Sequence, residues 1–207
     1  MEHFRLDILR HGETELSHTL RGSTDDALTA QGWQQMQQTI TAALHDIQVH
    51  SLPAWDAIFT SDLQRCHLFA QDISKQLNLP LFQNAQFQEM HFGDWEGVST
   101  EQIYQQSPEL LAEFWQSPST YTPPNAESLK QFHQRIDLGI QQLVQLVQQN
   151  AWQRVLLVSH GGVIKLLKCL AEQKPLDDLL KMTAELGQLN AFSIHDATHI
   201  RLWEQRE

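Results

Sequence analysis

Positive charge is scarce in this chain of 207 residues, which has 14 lysine and arginine residues against 25 aspartate and glutamate residues. The formal net charge of −11 argues against a surface that binds nucleic acid or anionic membranes non-specifically, because both need a basic face. If the chain binds an anion, the attraction must come from a few arginines gathered at one place.

Long apolar runs and cysteines are scarce as well. Nowhere do apolar residues continue for the length of a membrane span, and the opening stretch, MEHFRLDILRHG, has only a short apolar segment interrupted by charges. We therefore expect neither a signal peptide nor a membrane span. The two cysteines, Cys66 and Cys169, lie far apart without metal-ligand spacing, so we expect reduced thiols and a cytoplasmic protein.

The rest of the composition is that of an ordinary globular protein, with 41% apolar and 19% charged residues. A chain of this length fits one domain with a sizeable core better than two small ones, and no repeat or linker divides it. We expect a single domain over residues 1–207, with a lid-like insertion around residues 95–128 where the run SPSTYTPPNAES breaks a helical pattern.

Strand and helix patterns alternate along the chain. Strands are predicted over residues 4–10, 55–60 and the apolar run that stops at 159, and a terminal hairpin over 190–203. Apolar residues at helical spacing predict helices over 28–44 with Thr29 as N-cap, from a cap at Ser61 and Asp62 to Asn78, over 99–115, over 127–149, and over 163–172. This alternation predicts a three-layer αβα sandwich, with a mostly parallel central sheet and helices on both faces.

Two of the predicted strands end in polar side chains that would be costly to bury without a partner. Arg10 and His11 end the first strand in ILRHGETE, and His160 ends the late strand in VSHGG. Ligands of such sheets bind at the carboxyl ends of the strands, so these two loops can converge on one pocket. The missing partner of Arg10 and His11 is then an anion.

Two further residues fit an anion pocket. Arg65 follows the second strand in the first turn of a helix, where the helix dipole disfavours an arginine unless an anion is shared there. Glu89 precedes the glycine-punctuated loop MHFGDWEG, and in a pocket it can donate a proton.

Together these side chains suit phosphoryl transfer without a metal. Two arginines and two imidazoles can surround a phosphoryl group, neutralise its oxygens and leave one imidazole nitrogen in line with the phosphorus. One carboxylic acid then protonates the leaving oxygen. The other histidines form no recognisable ligand pattern, and we expect neither a metal nor a cofactor; these are His3, His18, His45, His50, His67, His133, His195 and His199.

The order of five sequence blocks resembles the histidine phosphatase superfamily, with its phosphoglycerate mutase-like fold. The blocks are RHGET, then RG with TD and LTxxG, then SDLQR, then EMHFGDWEG, then SHGGV, and they extend over nearly the whole chain. Within the superfamily, EMHFGDWEG and SHGGVIKLL are most similar to the α-ribazole-5′-phosphate phosphatases of cobalamin biosynthesis.

The resemblance implies roles for the same side chains. His11 matches the nucleophile that forms a phosphohistidine, and Glu89 matches the proton donor that later acts as a base for water. Arg10, Arg65 and His160 match the residues of the phosphate pocket. The partner implied is a small-molecule phosphomonoester.

Two positions depart from the family's pattern. Ser17 stands where the family usually has asparagine, and Ala126, Glu127 and Ser128 replace its glycine-glutamate-serine. Ser17 and Arg21, the latter matching a second basic residue near the pocket mouth, are candidate substrate contacts. The first departure affects phosphate contact and the second affects the path of the lid.

Other functions remain open at this stage. In the same fold, the chain could be a sugar-phosphate phosphatase or a phosphoglycerate mutase, although mutases carry longer insertions that exclude water. Outside it, the chain could be a non-catalytic phospho-ligand-binding module or a metal-dependent hydrolase. Five aromatic residues of the lid region could stack on a base or pack the core: Trp95, Tyr104, Phe114, Trp115 and Tyr121.

Overall fold

A computed structural model of the chain describes residues 3–196 and 198–203. These residues form, in chain order, β1 (Phe4–Arg10), α1 (Ala30–Val49), β2 (Ala57–Thr60), α2 (Gln64–Leu77), β3 (Leu81–Gln83), α3 (Thr100–Gln106), α4 (Pro108–Gln116), α5 (Leu129–Asn150), β4 (Arg154–Ser159), α6 (Gly161–Ala171), β5 (Leu189–Asp196) and β6 (His199–Leu202). Short 3₁₀ helices lie at Ala85–Phe87, Gly93–Trp95 and Leu176–Lys181.

The described strands make one mixed sheet in the order β3-β2-β4-β1-β5-β6. The pairs β1–β4, β2–β4 and β2–β3 are parallel, whereas β1–β5 and β5–β6 are antiparallel. The predicted mostly parallel sheet is therefore confirmed, and the predicted terminal hairpin forms its antiparallel edge.

Helices cover both faces of the sheet because successive side chains of each strand point to opposite sides. On one face, Leu9 and Leu156 pack with apolar residues of α1 and α2. On the other face, Ile8 and Leu157 pack with apolar residues of α5 and α6. This confirms the predicted three-layer αβα sandwich.

Caps define the ends of two long helices. The Thr29 side chain accepts a hydrogen bond from the Gly32 N–H, so the predicted N-cap of α1 is confirmed, although α1 continues to Val49. At α5, Ser128 and Gln131 form a reciprocal capping box. The two helices begin at Ala30 and Leu129, each two residues after the start predicted from the sequence.

The predicted cap of α2 was wrong. The N-cap residue is Leu63 rather than Ser61 or Asp62, and α2 begins at Gln64. The Ser61 hydroxyl instead lies 2.9 Å from Nε2 of His160, and the Asp62 carboxylate accepts from the Gln88 side chain. The Ser61 hydroxyl also accepts from the Leu63 N–H at 3.3 Å, but Leu63 is itself the N-cap residue, so no side chain caps the first turn of α2.

The single helix predicted over residues 99–115 is two helices. Ser107 ends α3, and Pro108 occupies the first position of α4, where its missing N–H costs nothing. The irregular stretch over residues 81–98 contains β3 and two of the 3₁₀ helices. The helix predicted from residue 163 begins two residues earlier, with His160 as its N-cap residue.

Among the described residues, no helix is both long and apolar enough to cross a membrane. The division of the chain into one domain with a lid around residues 95–128 stays a prediction.

Candidate active site

The ends of β1 and β4 bring two histidines side by side. The two strands are parallel neighbours, with Arg10 in register with Ser159. His11 and His160 therefore leave the sheet at the same edge, and their ring centroids lie 5.3 Å apart. The predicted convergence of the two loops is the result of this single pairing.

His11 is almost fully buried, with 3% of its surface exposed. Its Nδ1 lies 2.8 Å from the carbonyl oxygen of Gly12. Because a carbonyl can only accept, Nδ1 carries the proton and Nε2 keeps its lone pair. Burial, followed by the charge of Arg65, lowers the pKa of His11 well below its ordinary value. His11 is thus neutral at physiological pH, with a lone pair on Nε2.

His160 is also buried and neutral. The Nε–H of Arg65 donates to Nδ1 of His160 over 3.3 Å, so the ring proton lies on Nε2, which is 2.9 Å from the Ser61 hydroxyl. Burial and the charge of Arg65 lower the pKa of His160 well below its ordinary value. The two imidazoles therefore add no positive charge to that of the arginines.

Arg65, in the first turn of α2, is fully buried. Its two terminal nitrogens donate to the carbonyl oxygens of Thr24 at 2.6 Å and Gly22 at 2.7 Å, and to the Asp26 carboxylate at 3.1 Å. Together with His160, these acceptors use most of the five N–H groups of the guanidinium. The planar fork is thus directed largely at the protein itself.

Arg10 approaches the same space from β1. One terminal nitrogen donates to the carbonyl oxygen of Ala184, while the buried Nε–H has no hydrogen-bond partner among the described residues. Burial lowers the pKa of Arg10, although Glu89 and Glu185 oppose this effect. An N–H group that is buried and unpaired is a ready donor for an anion.

Glu89 lies at the N-terminus of α6, where its charge interacts with that of Arg10. One carboxylate oxygen accepts from the Gly162 N–H and the other from the Met90 N–H, both at 2.9 Å. A Cβ on Gly162 would lie only 2.1 Å from the Glu89 oxygen, so glycine is required for this approach. The positive end of α6 favours a carboxylate at this place.

Arg21 and Ser17 lie at the border of this cluster and contact each other. Nε of Arg21 lies 3.0 Å from the Asp26 carboxylate, and a terminal nitrogen donates to the Ser17 hydroxyl at 3.4 Å. Ser17 itself is exposed and accepts from the Thr14 N–H at 2.8 Å. Burial lowers the pKa of Arg21, and the opposing effect of the Asp26 charge is smaller.

All five residues predicted for catalysis and phosphate binding therefore meet at one edge of the sheet. Sequence reasoning missed two carboxylates that support them. Asp26 lies between Arg65 and Arg21 with 6% of its surface exposed, and Glu96 binds the loop that contains Gly22. The block EMHFGDWEG of the resemblance contains Glu96, whereas its TD block is Thr24 and Asp25 and stops one residue before Asp26. Spacing alone gives neither carboxylate a partner.

Within the described part of the chain, no group of three or more histidine, cysteine, aspartate or glutamate side chains is arranged to hold a metal ion. The positive charge of the cluster comes from its three arginines, Arg10, Arg21 and Arg65. This arrangement can bind a phosphoryl group between cations, attack it with an imidazole nitrogen and supply a proton from a carboxylic acid.

Comparison with known families agrees with this chemistry. Residues 6–205 match the histidine phosphatase superfamily (branch 1), and the chain belongs to this superfamily. It is a phosphatase, which confirms the predicted enzyme class.

Individual relatives indicate the range of activities in the superfamily. The adenosylcobalamin/alpha-ribazole phosphatase of Escherichia coli (strain K12) is 28% identical over 193 residues, which are 92% of this chain and 90% of that protein. The 2,3-bisphosphoglycerate-dependent phosphoglycerate mutase of Bartonella quintana (strain Toulouse) is 27% identical over 188 residues, 88% of each chain. The crystal structure of the alpha-ribazole phosphatase from Shigella flexneri is similar with a TM-score of 0.78 at 26% identity, covering 97% of this chain and 95% of that one.

Proposed function

We propose that this phosphatase hydrolyses a phosphate monoester through a phosphohistidine on His11. The observation that carries the proposal is the state of this side chain, which is buried and neutral, with its Nδ1 proton held by the Gly12 carbonyl. The charges of Arg65 and Arg10 act on the same imidazole. A nucleophile activated in this way needs no metal ion, so activity should survive a chelator.

The reaction has two steps with Glu89 acting in both. First, Nε2 of His11 forms a bond to phosphorus, the ester P–O bond breaks, and Glu89 protonates the leaving oxygen. Next, Glu89 takes a proton from a water molecule, whose oxygen bonds to phosphorus as the N–P bond breaks. Inorganic phosphate leaves, and His11 and Glu89 return to their starting states.

The arginines bind the transferred group, and His160, whose two ring nitrogens are paired with Arg65 and Ser61, serves the phosphate pocket by orienting Arg65. The unpaired Nε–H of Arg10 and the remaining N–H of Arg65 are directed to phosphoryl oxygens, and Arg21 and Ser17 contact the phosphate or the rest of the substrate. The carboxylate of Asp26 balances part of the charge of Arg21 and Arg65.

The substrate proposed is α-ribazole 5′-phosphate, in the nucleotide-loop branch of cobalamin biosynthesis. Similarity to two alpha-ribazole phosphatases supports this choice. Of the five lid-region aromatics, Trp95 and Phe114 pack against each other in the core, whereas Tyr104, Trp115 and Tyr121 are exposed. The exposed three are the candidates for stacking on the base of the substrate.

A substrate panel tests this specificity. The catalytic efficiency kcat/KM is measured for α-ribazole 5′-phosphate, phosphoglycerates, fructose bisphosphates and nucleotide monophosphates, with His11→Ala as the inactive control. We expect α-ribazole 5′-phosphate to exceed the others by at least about tenfold, about 1.4 kcal/mol of transition-state discrimination. If a different monoester has the highest kcat/KM, α-ribazole 5′-phosphate is not the substrate. The phosphatase mechanism is unaffected by that result.

The role of Glu89 has a separate test. Glu89→Gln should slow alkyl phosphates far more than aryl phosphates, since aryl leaving groups need little protonation. Glu101→Gln, at an exposed position of α3, serves as the matched control. Equal losses of activity on both substrate types would show that Glu89 is not the proton donor.

A second candidate function is phosphoglycerate mutase, favoured by the Bartonella quintana relative. A mutase would transfer the phosphoryl group from His11 to a second hydroxyl of phosphoglycerate instead of to water. Interconversion of 2- and 3-phosphoglycerate that is faster than phosphate release would favour it.

A further inference from the structure

Glu96 has an unusual number of hydrogen-bond donors around one carboxylate. Its oxygens accept from the backbone N–H groups of Gly22 at 3.0 Å, Ser23 at 3.1 Å, Thr24 at 3.1 Å and Phe92 at 2.9 Å. The Thr24 hydroxyl adds a fifth donor at 2.5 Å. Donors that converge in this way from two segments of the chain require an anionic acceptor.

The other side of the same loop faces the phosphate pocket. While the N–H groups of residues 22–24 point to Glu96, the carbonyl oxygens of Gly22 and Thr24 accept from Arg65 at 2.7 and 2.6 Å. The loop is thus held between a carboxylate and a guanidinium. Any displacement of the loop must move the acceptors that orient Arg65.

Glu96 also fixes the loop that contains the acid. Through the Phe92 N–H, it ties residues 22–24 to the segment that follows Glu89. A Cβ on Gly22 would lie 1.7 Å from the Met90 carbonyl oxygen, so the two segments touch without room for a side chain. The backbone hydrogen bonds of Leu20 and residues 97–98 join the same two segments further along.

We propose that Glu96 is a positioning residue that sets Arg65 and Glu89 relative to each other, so that phosphate binding and proton donation both depend on it. The inference rests on the proposed roles of these two residues. In the described part of the chain, Glu96 is hydrogen-bonded to neither His11 nor His160, and it acts only through the loop.

The chemistry of the carboxylate agrees with this role. Burial alone would raise the pKa of Glu96, but the hydrogen bonds from Thr24, Phe92, Gly22 and Ser23 outweigh it and leave the pKa lowered. Glu96 therefore stays ionised throughout the neutral pH range.

Glu96→Gln tests the proposal, because an amide keeps the size of the side chain but sets N–H donors against the backbone N–H groups. We expect the Kd for inorganic phosphate to rise about tenfold and kcat/KM to fall further for alkyl than for aryl phosphates. Glu96→Asp, which keeps the charge, should recover part of both losses.

Asp56→Asn is the matched control. Asp56 also accepts from two backbone N–H groups, those of Gln153 and Arg154, but it lies before β2 at the opposite edge of the sheet. This variant should lower the thermal midpoint and leave the phosphate Kd and the alkyl-to-aryl ratio unchanged. If Glu96→Gln does the same, Glu96 has only a structural role and the proposal is overturned.

Thr24→Val tests the same proposal with a smaller change, in case the Glu96→Gln protein does not fold. It removes only the hydroxyl bond to Glu96 and should shift the phosphate Kd and the alkyl-to-aryl ratio in the same directions, about threefold. No change in either quantity would count against the proposal. Wild-type protein that binds no phosphate would contradict the proposed function instead, so the two failures are distinguishable.

Discussion

Arg65 donates a hydrogen bond from Nε to Nδ1 of His160 over 3.3 Å, and this bond joins the start of α2 to the end of β4. It selects the tautomer of His160 and turns the Arg65 side chain toward the pocket. Neither residue can be replaced without altering the other, although they are separated by 95 positions.

Arg65→Lys should therefore be costly despite keeping the positive charge. A lysine has three donors on one nitrogen and cannot reach Gly22, Thr24, Asp26 and His160 together. We expect kcat/KM to fall about 100-fold or more, with weaker binding of inorganic phosphate. Arg201→Lys, at an exposed position of β6, is the control and should behave as wild type. An Arg65→Lys protein with nearly full activity would show that only the charge matters.

Gly162→Ala should impair proton donation. The added Cβ would meet the Glu89 carboxylate at 2.1 Å, which forces this side chain away from the α6 N-terminus. Alanine otherwise suits a helix better than glycine, so we expect little loss of thermal stability. The expected result is a larger loss of kcat for alkyl than for aryl phosphates.

Gly161→Ala is the matched comparison on the same helix. Its Cβ would lie 3.0 Å from the guanidinium of Arg10 instead of against Glu89. This variant should therefore raise the Kd for phosphate without changing the alkyl-to-aryl ratio. The same leaving-group pattern in both variants would contradict the separate roles of Arg10 and Glu89.

The acid limb of the pH–rate profile should lie well below the ordinary histidine value. His11 attacks only when neutral, and burial together with Arg65, Arg10 and Arg21 lowers its pKa. As pH falls, activity is therefore retained below pH 6.5 and is lost only when the lowered pKa is reached. A limb at or above 6.5 that is caused by His11 would contradict this arrangement.

Arg21→Gln should move this limb upward. The variant removes one of the charges that lower the pKa of His11, so protonation sets in at a higher pH. The profile of kcat/KM for an aryl phosphate measures the shift, because it reports the pKa of His11 in the free enzyme, and the position of the limb is independent of how much activity remains. Arg201→Gln should leave the limb in place. A downward shift of the limb in Arg21→Gln would contradict the conclusion that the charge of Arg21 lowers the pKa of His11.

The sequence predicted the reactive residues of the site better than the residues that hold them in place. Arg10, His11 and His160 were identifiable because they end apolar strands, where an unpaired polar group is costly. The rule that ligands bind at the carboxyl ends of parallel strands predicted that the two loops can meet. Their convergence depends on β1 and β4 being neighbours, and no local pattern shows this, because strand order is a property of the whole sheet.

Local signals failed where a distant partner took over a local role. Ser61 has the character of an N-cap, but its hydroxyl faces His160. β3 has only three residues, none of them fully buried, and so it has no clear strand pattern. Asp26 and Glu96 look like ordinary surface carboxylates in sequence, and only the fold shows that both hold the surroundings of Arg65.

The proposed mechanism depends on a phosphohistidine at His11, and rapid quenching tests its formation most directly. Wild-type protein is mixed with a monoester labelled in its phosphoryl group, quenched within one turnover and digested to peptides. We expect acid-labile, base-stable label on the peptide that contains His11, and neither label nor turnover in His11→Ala. Label on another residue, or normal turnover by His11→Ala, would contradict it.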